Sequence, residues 1–250
     1  MIYKTLDTAR PIRVIADVHG NLDDFKRIVE DAVSKGLYIL SVGDLEDRGP
    51  APAECLKIMM DLIDTDDGAM ILSNHFWKHY RYHSGNPVNL NEEHQKTVDD
   101  FERLGIVDRY METFKDIPWF ATLGNFFFAH AAYHPVTMDE TASNKAKKAA
   151  KARLMYGQTD GTYTEKGFPR RLLDWLDEVP DNMSVVVGHH VLSTEKILKF
   201  QTQGGPTYFL DLGSGKDGPL AYMDIVDDVI VNASHKIVPA APSDYGAYNG

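Results

Sequence analysis

Ile12-Arg13-Val14-Ile15-Ala16-Asp17-Val18-His19-Gly20-Asn21 is an apolar run that ends in Asp-x-His-Gly and opens directly onto a helix-like segment. The plan recurs downstream. Leu37 to Val42 leads into Gly43-Asp44-Leu45-Glu46-Asp47-Arg48-Gly49, and Ala69 to Leu72 leads into Ser73-Asn74-His75. Each run is short and continuously apolar, as expected of a strand buried on both faces of a parallel sheet. Residues 21–35 and 50–63 between them carry helical periodicity, so the first third of the chain reads as βαβ units of an α/β fold. Asn21 is the expected N-cap of the first helix, with Asp23 and Asp24 at its positive end and Gly36 just past its close. Strands that end in Asp, His, Asp and Asn set hard and borderline metal ligands along one rim, where such sheets bind their ligands.

The chain has 250 residues and 43% hydrophobic content, enough for a continuous core, and a single domain over 1–250 is the simplest expectation. A formal charge of -11 argues against stable binding of long nucleic acid, which needs a basic surface, but leaves small phosphorylated substrates open. Cys55 is the one cysteine, so no intrachain disulfide can form, and its helical surroundings suggest a small buried hydrophobe. Met1 to Arg10 lacks the regions of a secretory signal and no apolar stretch approaches a membrane span, from which a soluble, cytoplasmic protein is expected.

Beyond the third strand, residues 91–104 and 106–114, separated by Gly105, predict a helical insert at about 76–115 that would wall a pocket. A second sheet is expected from Trp119 onward, with Leu123-Gly124-Asn125 as a hairpin turn. Ser143 to Tyr156 reads as a helix carrying a basic stretch, and Arg170 to Leu176 as another. Strands are expected over 183–187, 197–202, 207–210, 220–225 and 229–232, and a loose Pro, Gly, Ser and Tyr-rich tail from Ala240.

His130 follows the run Phe126 to Ala129, and His189 follows Val185-Val186-Val187-Gly188. Asp17, His19, Asp44, Asn74, His130 and His189 would then converge from separate strand ends, a supply of ligands large enough for two ions that share one carboxylate, with Asp44 as the natural bridge. Carboxylate, imidazole and amide oxygen without thiolate suit Mn, Fe, Ni or Zn in a reactive site.

Asp-x-His-Gly, Gly-Asp-x-x-Asp-Arg-Gly, Asn-His, a strand-end His and Gly-His together resemble the calcineurin-like metallophosphoesterase superfamily, over Val14 to about Asp224. Asp47-Arg48-Gly49-Pro50, Asn74-His75-x-x-Lys78, Tyr156-Gly157, Gly167-Phe168-Pro169-Arg170-Arg171 and Asp211-Leu212-Gly213-Ser214-Gly215 are most similar to small bacterial and phage phosphatases and to the phosphatase module of bacterial polynucleotide kinase-phosphatase. The resemblance implies a four-layer αββα sandwich of mixed sheets flanked by helices, two divalent ions (Mn first, with Ni, Fe or Zn as alternatives) and phosphoester hydrolysis. It also implies Asp17, His19 and Asp44 around one ion, and Asn74, His130 and His189 completing the site. His75 would be the general acid, held by Asp47, and Arg48 a planar fork for phosphate oxygens. By the same similarity Asp211 would sit at or beside the metals, and Lys78 and Arg171 would touch the phosphate. Ser73 stands where the superfamily has glycine, and would be strained if that backbone needs positive φ.

Singly, each Asp could be turn chemistry and each His a satisfied core group. Their recurrence in order after strand-like runs favours the metal site. Gly213-Ser214-Gly215-Lys216 invites a phosphate-loop reading, but Asp217 stands where Ser or Thr is required. The expected substrates are nucleotides, nucleic-acid ends or cyclic phosphates. The alternatives are a phosphoprotein, a dinucleoside polyphosphate, or an inactive metal-bound recognition module; against the last stand Asp47, Arg48 and His75, which chemistry needs and folding does not.

Overall fold

A computed structural model describes residues 3–6, 10–165, 167 and 169–245. The three opening runs form β2 (Ile12–Ile15), β3 (Tyr38–Ser41) and β4 (Gly68–Met70), after a short β1 (Lys4–Thr5). α1 (Leu22–Ser34) and α2 (Pro52–Asp64) make the crossovers, and each buries one apolar stripe. Asn21 occupies the N-cap position of α1, but its side chain caps no backbone amide; its amide nitrogen reaches Asp24 at 3.2 Å and Ser214 at 3.4 Å instead. The insert is helical as expected, with α3 (Asn74–His83), α4 (Glu92–Leu104) and α5 (Val107–Thr113).

The second half of the chain supplies β5 (Ala121–Leu123), β6 (Phe126–Ala129), α6 (Asn144–Tyr156), β7 (Gln158–Tyr163), β8 (Pro169–Leu172) and β9 (Ser184–Val187). After them come β10 (Ile197–Phe200), β11 (Thr207–Phe209), β12 (Tyr222–Val226), β13 (Val229–Ala233) and β14 (Ile237–Ala240). One expectation fails here. Arg170 to Leu176 is not a helix: Pro169–Leu172 pairs with β7 as an antiparallel ribbon, and only Asp174–Glu178 closes into a 3-10 turn. Of the tail from Ala240, only the first residues are described. β14 ends on Ala240 beside β10, Pro242–Tyr245 forms a 3-10 turn, and the rest of the tail lies outside the described residues.

One sheet has five strands in the order β13-β12-β2-β3-β4 and the other seven in the order β1-β5-β6-β9-β11-β10-β14. Val14, Leu40 and Ala69 of the first meet Phe128, Val186 and Tyr208 of the second in one apolar layer. α1 to α5 cover the outer face of the five-stranded sheet through Phe25, Leu56, Phe76, Phe101 and Tyr110, while Leu154 and Trp175 cover that of the seven-stranded sheet. The result is the expected αββα stack of mixed sheets. β2, β3 and β4 run parallel, as do β6, β9 and β11, so the carboxyl ends of each trio share one edge of its sheet. Cys55 is buried in α2, and burial pushes its thiol up to about 12, consistent with a packing role.

Arg13 is a charge in the middle of this core, with 0% of its surface exposed. Its Nε and Nη2 donate to the two carboxylate oxygens of Asp224 at 2.7 and 2.8 Å, Nη1 donates to Asp31 at 2.7 Å, and the guanidinium lies 4.1 Å from the Tyr222 ring centroid. Arg13→Met leaves Asp224 buried without its main partner, and we expect a loss of about 3–5 kcal/mol in urea unfolding. A loss below about 1 kcal/mol would show that the pair merely replaces apolar packing.

Candidate metal centre

Short turns past the strand ends carry the predicted side chains into one cleft, and they do so with unusual backbone. His19, Asp44, Asp47, Arg48 and His189 all have positive φ, between +47° and +65°. Such conformations strain residues with a Cβ and persist where the surroundings over-determine them. Gly43 and Gly188 show how close the turns approach: a Cβ on Gly43 would lie 2.4 Å from that of Ser73, and one on Gly188 would lie 2.1 Å from Asp17 Oδ1. Ser73, by contrast, is extended (φ -126°), so serine is unstrained there, and its hydroxyl accepts the Asp44 N–H at 3.0 Å.

Asp44 lies at the centre. Its Oδ2 is 3.3 Å from His130 Nε2, 3.7 Å from His19 Nε2 and 3.9 Å from His75 Nε2, and its Oδ1 accepts the His75 N–H. Among the described residues, Asp44 belongs to two groups of donor atoms lying within 4.8 Å of one another, His19/Asp44/His75 and Asp44/His130/His189. Asp17 closes the first side, with Oδ2 4.0 Å from His19 Nε2 and both oxygens accepting the His189 N–H. Asn74, at the start of α3, brings Oδ1 to 2.8 Å from His130 Nε2. Asp211 is buried just past β11 and accepts the Gly213 N–H. His190 turns away into the core, its ring 6.0 Å from that of Phe209.

This arrangement fits divalent cations. His19 Nδ1 donates to the Glu46 carbonyl at 2.7 Å, which leaves a lone pair on the buried, unpartnered Nε2 facing the carboxylates. His130 Nδ1 likewise donates to the Val42 carbonyl at 2.9 Å, so its Nε2 lone pair faces two further acceptors, Asn74 Oδ1 and Asp44 Oδ2. Lone pairs converging in a buried site repel one another unless a cation lies among them. The charges agree. Burial, reinforced by Asp211 and Asp44, pushes the Asp17 carboxyl well above the usual range, and burial lifts Asp211 to about 6. Burial pulls His19 down to about 3, keeping the imidazole neutral as a ligand must be.

Beside this centre His75 Nδ1 lies 2.5 Å from Asp47 Oδ2. Asp47 is also held from a side that sequence reasoning missed: its Oδ1 accepts from His79 Nε2 and Thr97 Oγ1, both at 2.8 Å, and His94 Nε2 stands 3.5 Å from Oδ2. Burial would raise this carboxyl, but the His75 and His79 hydrogen bonds keep it ionised. Thr97→Val keeps the shape of this contact and removes a donor to a charged group, a loss of about 1.5–3 kcal/mol. If Asp47 must be fixed to orient His75, kcat falls about tenfold or more while Thr97→Ser stays near the parent. A fall below threefold would make the contact structural only.

A cavity of about 340 Å³ opens on the centre, and Arg48, Arg171 and Lys216 all line it. Arg171 reaches it from β8, with Nη2 2.8 Å from His189 Nε2. Lys216, to which the sequence motifs assign no role, is brought to the cavity by the turn at positive-φ Gly213 and Gly215. Lys78 lines neither this cavity nor its neighbour, and its Nζ sits 3.2 Å from His94 Nε2.

The family profile described as Calcineurin-like phosphoesterase matches residues 10–212. A bis(5'-nucleosyl)-tetraphosphatase PrpE of Oceanobacillus iheyensis is 27% identical over 71% of this chain and 76% of its own. The enzyme of the same description from Bacillus subtilis is 25% identical over 70% and 77%. Among solved structures, one provisionally named a diadenosine tetraphosphatase superposes with a TM-score of 0.62 at 16% identity, covering 94% of this chain and 98% of that one. A cold-active protein-tyrosine phosphatase of a Shewanella species superposes with a TM-score of 0.57 at 14% identity, covering 92% and 78%.

Proposed function

Since the chain belongs to the calcineurin-like phosphoesterase family, and is thereby a metal-dependent hydrolase of phosphoesters, we propose that its substrates are nucleotides carrying more than one phosphate, dinucleoside polyphosphates foremost. The observation that carries this reading is the convergence of Arg48, Arg171 and Lys216 on one cavity beside the acidic centre. A single phosphoryl group needs fewer cations once metals are bound; three lining one cavity suit a chain of phosphates. The names of the relatives point the same way.

In this reading Asp17, His19 and Asp44 would hold one divalent ion, and Asp44, Asn74, His130 and His189 the other, with the Asp211 carboxyl close enough to Asp17 to act on its charge. When bound, the ions polarise the phosphoryl group and lower the pKa of the attacking water. Arg48 grips the phosphoryl oxygens with a planar fork that lysine cannot reproduce, and Arg171 and Lys216 neutralise the neighbouring phosphates. Asp47 fixes His75 through Nδ1, so that Nε2 is oriented to deliver a proton to the departing oxygen. The wall of α3 and α4 keeps Asp47 dry, which strengthens that hold.

The test is a substrate panel on protein reloaded in turn with Mn, Ni, Fe and Zn: diadenosine tetraphosphate, ATP, p-nitrophenyl phosphate, its diester, a 2′,3′-cyclic nucleotide and a phosphopeptide. Diadenosine tetraphosphate should lead in kcat/KM, and Lys216→Ala should lower that lead more than it lowers the rate on p-nitrophenyl phosphate. A phosphopeptide or the cyclic nucleotide in first place would overturn the substrate assignment. No turnover with any metal would leave a recognition module.

A further inference from the structure

The cavity over the metal centre has a neighbour of about 280 Å³, and the two share Asn74, Pro169, Arg171 and His189. Their linings differ in kind. The first chamber is acidic and cationic, whereas the second is walled by Tyr156, Thr159, Thr162 and Tyr163. Taking the proposed nucleotide reading as its basis, we infer that the second chamber seats the nucleobase and ribose of the substrate, with the base stacked on Tyr163 against Tyr156 and the phosphates led past Arg171 to the metals.

The β7–β8 ribbon makes this geometry. Thr159 pairs with Arg171 and Tyr163 with Pro169, with a bulge between, and all four of these residues line the second chamber. One wall thus presents in sequence a cation at the metal side and an aromatic ring farther out. The spacing suits a molecule that is anionic at one end and flat at the other. Tyr156 stands at the carboxyl end of α6, where Gly157 turns the chain at φ +77° directly into the ribbon.

The exposure of these rings has no packing explanation. Tyr163 is 66% exposed and Tyr156 45%, while most large aromatic side chains in the described residues are buried. An aromatic ring left open beside a phosphate-binding wall offers a stacking face, and every base has a π-face to set against it. The hydroxyls of Thr159 and Thr162 lie in the same lining and can meet ribose hydroxyls or the edge of the base. Stacking carries little discrimination among bases, so the subsite accepts adenine and guanine nucleotides alike.

A matched pair of probes isolates the base. α,β-Methylene-ADP and methylenediphosphonate carry the same P–C–P group, and only the first has a nucleoside. Titration calorimetry on the Mn-loaded full chain should show α,β-methylene-ADP binding roughly 5- to 150-fold more tightly than methylenediphosphonate, the range expected for one stacked base. Tyr163→Ala should erase most of that ratio and Tyr163→Trp preserve it, with near-ultraviolet circular dichroism and the thermal midpoint reporting the fold of each variant. A ratio near one in the parent chain, or one unchanged in a folded Tyr163→Ala, Tyr156→Ala double variant, overturns the subsite. The hydrolytic reading fails separately: a ratio that depends on Tyr163 without turnover of diadenosine tetraphosphate supports the subsite and removes that substrate, while turnover with a ratio near one overturns the subsite alone.

Discussion

Asp44→Ala should lower kcat/KM by about 10³-fold or more and bring the metal content of the reloaded protein below two ions per chain. The expectation rests on position. Asp44 Oδ2 faces His130 Nε2 at 3.3 Å and His19 Nε2 at 3.7 Å, so the same carboxylate borders both groups of donors. Removing it weakens both seats, and a metal's stabilisation of transition-state charge is worth several kcal/mol, each 1.36 kcal/mol being a factor of ten. Asp44→Asn keeps an oxygen and loses the charge, so it should fall between the parent and alanine. Elemental analysis of dialysed protein together with steady-state rates gives the answer. Two ions per chain and near-parental turnover in Asp44→Ala would remove the bridging role.

His75→Ala is the second large effect, and its signature is selectivity. A general acid contributes typically about 10²- to 10⁴-fold where the leaving oxygen needs a proton, and far less where it does not. Loss should therefore be near the top of that range for a nucleoside 5′-monophosphate and small for p-nitrophenyl phosphate. Asp47→Asn should shift the leaving-group dependence in the same direction, because His75 Nδ1 lies 2.5 Å from the Asp47 carboxylate. A uniform loss across leaving groups would assign His75 to binding or to the metals, which its place in the His19/Asp44/His75 trio makes a real alternative.

What could be read from the chain beforehand follows from how local each signal is. β2, β3 and β4 announce themselves because a strand buried on both faces is apolar at every position, and the ligands follow directly in the chain. β7 has no such signal: Gln158–Tyr163 is polar and almost wholly exposed, and it becomes a strand only by pairing with β8. For the same reason Arg170 to Leu176 reads as a helix, where tertiary pairing makes Pro169–Leu172 a ribbon strand. His79 and Thr97 were out of reach, since they meet at Asp47 only once α3 and α4 have packed together. Lys78 illustrates the reverse case. It stands in a phosphatase-like motif, yet the turn of α3 carries it toward His94. The doubt over Ser73 resolved by geometry, as an extended backbone asks nothing of glycine there.

The left-handed turns that present His19, Asp44 and His189 have a bearing on how cations come and go. Their shape is imposed by the ends of two sheets and by glycines that admit no side chain, not by the guest. A seat shaped mainly by the surrounding fold should let chelation and refilling proceed without a melting step, unlike in small domains that fold around their ion.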